Sequence, residues 1–165
     1  MATGTVAEAG QTPRLDAHLL KFSQAWTVLL SALALLLQLP WLVAVAALAL
    51  LISAALPALS PFRLLYRFVA RPLRLIRPRI VADDPAPHRF AQGVGAVFLI
   101  ASSGVLFLAP SASVAGWTLD LIVFALALVN VSVGFCAGCF VYYHLGRLGR
   151  MPRVRSAGGF HWRGV

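Results

Sequence analysis

Apolar residues along the chain gather into four stretches, 22–39, 41–59, 91–109 and 117–143, with the polar residues collected between them. A helix crosses a hydrocarbon core in roughly 20 residues, so each stretch predicts one span. Only Gln38, Leu39, Pro40 and Trp41 separate the first from the second. A proline inside a helix removes a backbone bond and clashes with the preceding turn. A very tight turn is therefore expected there, with Trp41 and Trp117 at the outer interface, where indole rings are favoured.

Between the two apolar pairs, Arg63, Arg67, Arg71 and Arg74 recur at helical spacing beside Leu64, Leu65, Phe68, Val69 and Leu75. That pattern predicts an amphipathic helix lying in the headgroup layer, interrupted at Pro72 and Pro78. Residues 82–88, rich in proline and aspartate, are expected to be extended before the third span. A short repeat also emerges. Asp16, Lys21, Phe22, Gln24 and Ala25 match Asp84, Arg89, Phe90, Gln92 and Gly93 in register. The expected fold is an all-α membrane protein of four transmembrane helices, arranged as two duplicated hairpins with the interfacial helix between them. Its organisation is a polar N-terminal segment (1–21), hairpin 1 (22–59), a basic linker (60–90), hairpin 2 (91–143) and a basic tail (144–165).

Charge orients this arrangement. All 14 Lys and Arg residues precede the first stretch, lie between the second and third, or follow the fourth. Short loops rich in Lys and Arg stay in the cytoplasm, so both termini are expected inside a cytoplasmic membrane. A composition of 60% hydrophobic residues and mean hydropathy of +0.84 excludes an ordinary soluble domain. The formal charge of +9 then points to anionic lipid headgroups rather than to nucleic acid. The apolar run after the polar N-terminal segment is too long for a cleavable signal. The tail carries Phe160, His161 and Trp162, aromatic groups expected to dock on the membrane or on a partner.

The chemistry concentrates at Cys136 and Cys139. On one continuous helix they share a face, near its cytoplasmic end, where a reducing compartment disfavours a permanent disulfide. Three readings stay open. A redox dithiol needs a lowered pKa, usually supplied by a helix N-terminus; a C-terminal position disfavours thiolate. A metal site could draw on Cys136, Cys139, His144 and His88. Alternatively both cysteines pack as small residues beside Gly134 and Gly138, whose GxxxG spacing admits a close helix neighbour. Gln24 and Gln92, costly to bury in lipid, fall at the depth of the cysteines. With Arg89 and Asp84 nearby, they form a candidate supporting layer. Asn130, deeper in the last stretch, is expected to tie helices together, and Asp120 to sit in the outer headgroup layer.

The segment from Asp84 to Gly95, taken with Gly134-Phe135-Cys136-Ala137-Gly138-Cys139, resembles the bacterial integral-membrane proteins known as domain of unknown function 4395. Ser60-Pro61-Phe62 fits the same pattern, and the likeness extends over about residues 15–145. It implies a small multi-span membrane protein, and some relatives sit beside thioredoxin-like or sulfur-transfer proteins. The first expectation is therefore a dithiol accessory in thiol-redox or sulfur-relay chemistry. Cys139, nearer water, would attack, Cys136 would resolve, and Arg89 and Gln92 would steady the pair. The alternative is a non-catalytic subunit or scaffold of a larger membrane complex. No cofactor is indicated.

Overall fold

The computed structural model describes residues 14–70, 80–82 and 84–149. Six α-helices make up most of them. Helix α1 (Ala17–Leu37) starts earlier than its apolar stretch because Asp16 caps it, its carboxylate accepting from the His18 and Leu19 amides. Such a cap satisfies amides that the helix itself leaves unpaired. Gln38, in a left-handed conformation, then ends α1. Pro40 opens α2 (Pro40–Ala55) at the first helical position, where its missing N–H costs nothing.

Helix α2 corrects the four-span expectation. The apolar stretch reaches residue 59, but the helix stops at Ala55 after 16 residues. Pro57 is the cause: the residue before a proline is pushed out of the α region, and Leu56 has φ −124° and ψ 74°. At 1.5 Å per residue α2 measures about 24 Å, short of a ~30 Å hydrocarbon core. Among the described residues, three helices are long and apolar enough to cross a membrane, α1, α4 (Pro85–Leu108) and the run from Pro110 through α5 (Ser113–Val133).

The duplicated hairpin also fails. Asp84 caps α4 as Asp16 caps α1, accepting from the Ala86 amide, so the local resemblance is real. Beyond it the halves diverge. The first has a two-residue turn and a short return helix; the second has a 3₁₀ turn at Pro110–Ala112 and a longer return. Moreover, α2 packs more extensively on α4 than on its own neighbour α1. Residues 85–88, expected to be extended, are helical, because Pro85 sits at the first position behind the Asp84 cap.

The basic linker begins with a short helix, α3 (Pro61–Leu65), and a π turn, Tyr66–Ala70. Phe62 and Tyr66 turn inward, while Arg63 and Arg67 stay exposed. Tyr66 meets Phe22 of α1 edge-on at 5.5 Å. An amphipathic face is thus present over residues 61–69, and the α-helix itself ends at Leu65. Residues 71–79 lie outside the described residues, as does the aromatic tail. A two-stranded antiparallel pairing of Arg14–Asp16 with Ile80–Ala82, not foreseen, ties the start of α1 to the segment before α4.

The core is small and lined with alanine. Ala34, Val43, Ala46, Ala47, Leu50, Ala96 and Leu99 fill the space between α1, α2, α4 and α5. At the far end Gly116 brings α5 onto α4, its carbonyl accepting from the Ser102 hydroxyl at 2.7 Å. Asp120 is not in a headgroup layer. It is fully buried against Ser31 of α1, about 10 Å from the start of α5.

The last stretch is two helices rather than one. Gly134 takes a left-handed φ of 76° and caps α5, and α6 (Ala137–Arg147) starts anew after an extended Cys136. An L side chain in that conformation costs about 1–2 kcal/mol. Gly134→Ala is therefore expected to lower the melting temperature of the detergent-solubilised protein. Gly93→Ala should not, since its added methyl would stand 3.8 Å from Ala54 in a helix interior that favours alanine.

Candidate functional site: a histidine and two cysteines at a helix start

The break after α5 reverses the electrostatics expected for the cysteines. Cys136 is the N-cap of α6, and its sulfur accepts from the Cys139 amide at 3.3 Å. The pair stands at a helix N-terminus, where unpaired amides and the helix dipole favour negative charge. The break lies at residues 134–136, and Gly134 supplies its freedom.

Gly138 has a different task. A Cβ there would fall 2.5 Å from the Ala91 Cβ and 2.7 Å from its Cα, so glycine alone lets α6 press onto α4. One turn before Ala91, on the same face, is His88. Its Nδ1 lies 3.5 Å from the Cys139 sulfur. The sulfurs of Cys136 and Cys139 and a ring nitrogen of His88 all lie within 4.8 Å of one another. The two cysteines are thiols, not bridged to each other; Cys136 is 4% exposed and Cys139 partly exposed. A hydrogen bond from the Cys139 thiol does most to favour the Cys136 thiolate. Burial opposes it, but His88 and the Cys139 amide reinforce the stabilisation, and the Cys136 pKa falls from 9.0 to about 5.

The other candidates divide. Gln24 and Gln92 line one cavity together with His88 and Cys136, and Asn130 joins them there. Arg89 reaches toward α2. Its Nε and Nη2 donate to the Ala54 carbonyl at 3.1 and 3.0 Å, which satisfies an acceptor left over at the end of α2. Asp84 serves as the α4 cap. His144 is exposed and stacked on Phe140 at 4.4 Å, away from the cluster. Three groups could therefore hold a metal ion, and His144 supplies no fourth. His88, one metal candidate among several in the sequence, is the residue that stands at the sulfurs. The signal was the proline-rich segment: a helix capped by Asp84 and opened by Pro85 carries His88 on its first turns.

Residues 15–147 match the family described as Domain of unknown function (DUF4395). The chain belongs to that family. No curated protein and no solved structure matches this DUF4395 chain, so its chemistry must be argued from its own residues.

Two outcomes are expected. The ultraviolet absorbance of thiolate should persist as pH falls from 9 to about 5 and bleach below it, because a lowered pKa keeps the charged form over that interval. Cys136→Ser should abolish the step. Gly138→Ala should cost about 1–3 kcal/mol by overpacking, measured by thermal unfolding, and should shift the remaining thiolate titration upward as Cys139 parts from His88.

Proposed function

We propose that this DUF4395 protein is a membrane dithiol carrier, in which Cys136 and Cys139 cycle between two thiols and a disulfide by exchange with a thiol-bearing partner protein. The observation that supports it is the position of Cys136 as the cap of α6, with its sulfur on the Cys139 amide. Reactive CxxC pairs depend on such a helix start for their thiolate.

Exposure and charge assign the two sulfurs different roles. A partner thiolate attacks the more exposed Cys139 of the disulfide, forming a mixed disulfide and releasing Cys136 as thiolate. A low-pKa thiol is the better leaving group. The partner's second thiol then attacks the mixed disulfide and frees Cys139. The carrier pair is reduced to two thiols, the partner dithiol is oxidised to a disulfide, and two protons travel with the two electrons. Cys139 thus carries the bond to the partner, as the spacing implied, while the stabilised charge belongs to Cys136.

The cysteine end faces the cytoplasm in this reading. Lys21, Arg63, Arg67, Arg89 and Arg147 all belong to elements that meet there: the start of α1, the segment after α2, the start of α4 and the end of α6. Basic residues collect on that side and attract anionic headgroups.

A second reading, a metal site, draws on the mutual approach of the same three groups. A structural zinc site closes with four ligands, and His144 lies apart, which favours the dithiol. The deciding experiment treats inverted membrane vesicles with diamide and maps the cysteines by mass spectrometry. An intramolecular Cys136–Cys139 disulfide is expected, with a membrane-impermeant maleimide labelling Cys139 before oxidation and in inverted vesicles only. A stoichiometric metal in the purified protein, with no disulfide at any diamide level, would sink the dithiol reading. Two inert, metal-free thiols would leave a scaffold.

A further inference from the structure

The two sulfurs face different surroundings. Cys139 is partly exposed and lies outside the cavity, whereas Cys136 is buried and forms part of its wall. The cavity, about 250 Å³, is lined by α1, α2, α4, α5 and α6. An engineered cavity of roughly 150 Å³ admits a benzene ring, so a substituted six-membered ring fits here. Most of the wall is apolar, and the polar groups are few: Gln24, Gln92, Asn130, His88, Cys136 and Thr27, whose hydroxyl donates to the Ser23 carbonyl. Val94, Phe98 and Leu126 line it and are also exposed on the outer faces of α4 and α5. In a helix long enough to span a membrane, such faces meet lipid, so the cavity opens sideways into the bilayer.

We infer that the cavity is a site for a membrane quinone, its ring held against the Cys136 sulfur and its isoprenoid tail leaving past Val94 and Phe98 into lipid. The inference rests on the dithiol reading. A ligand entering from the bilayer must be lipid-soluble. One held by two amide side chains must carry hydrogen-bonding groups, and the two quinone carbonyls can accept from the amide nitrogens of Gln24 and Gln92. One that stands against a redox thiol must take up two electrons. A fatty acyl chain meets the first condition but not the other two.

The step balances. Cys136 and Cys139 together lose two electrons and two protons and form one sulfur–sulfur bond; the quinone gains both electrons and both protons and leaves as quinol. The Cys136 thiolate adds to the ring, forming a carbon–sulfur bond. Cys139, giving its proton to the His88 Nδ1 at 3.5 Å in the tautomer that leaves that nitrogen free, attacks the Cys136 sulfur. The carbon–sulfur bond breaks and its electron pair passes to the ring. His88 and water supply the two protons. The pair so oxidised is the form that accepts electrons from a partner's thiols at Cys139.

The test uses the full-length purified protein, reduced, freed of reductant and kept anaerobic, with decyl-ubiquinone as the probe and diamide in a parallel sample. Decyl-ubiquinone is expected to be reduced one-for-one with formation of the Cys136–Cys139 disulfide, read by the change in quinone absorbance and by mass. Ala127→Phe, which fills the cavity from α5, should slow that reduction at least tenfold; if it fails to accumulate, Val94→Trp at the mouth asks the same question. Disulfide formation with diamide but no reaction with decyl-ubiquinone overturns the quinone site and leaves the dithiol carrier standing. No disulfide with either reagent overturns the carrier, and the quinone site with it. Wild-type quinone reduction by a cavity-filling variant overturns the location.

Discussion

The contact on which the site depends is the meeting of Gly138 with Ala91. Helices with small residues at their crossing approach closely, and here no atom larger than hydrogen fits between them. The approach places the first turn of α6 against the first turns of α4 and so makes neighbours of Cys139 and His88, 51 residues apart in the chain. Phe90 and Tyr142, with ring centroids 5.5 Å apart, hold the same two helices together one turn further along. Lipid offers helices little hydrophobic reason to associate, so such packing must supply the specificity.

Much of the fold was legible in the sequence. The apolar stretches located the long helices, and Pro40 located the first turn. What escaped were the ends. Apolar residues 56–59 look like a continuation of α2, but Pro57 acts on backbone angles that hydropathy does not record. Apolar residues 117–143 look like one helix, and Gly134 could pass for half of a GxxxG; only its left-handed φ reveals a stop. The cysteine spacing was visible, but its electrostatic sense was not. Whether a CxxC closes one helix or opens the next depends on a break two residues upstream, and that inverted the expected dipole. The partner of Arg89 was hidden for a related reason: α2 ends early and exposes a carbonyl that a longer helix would have satisfied.

Asp120 shows where patterning gives the wrong depth. One acidic residue near the end of an apolar stretch reads as a boundary marker, because burying it without partners is costly. The chain instead carries it inside with Ser31. Gly116, fully accommodated against Leu106, draws the start of α5 so close to α4 that the helix cannot rotate this face outward. A polar residue tolerated at such cost marks a place where packing, and not partition into lipid, decides orientation.

The stop at Gly134 also separates two mechanical tasks. Helix α5 is a spanning element, and a spanning helix adapts to bilayer thickness by tilting. If it ran on into the cysteines, each change of tilt would swing the sulfurs through an arc. Because the helix ends at Gly134 and α6 is clamped to α4, the thiols share the frame of α4, whose own start is pinned to the end of α2 by Arg89. The glycine is a joint, and it isolates the sulfur geometry from the thickness of the membrane around it.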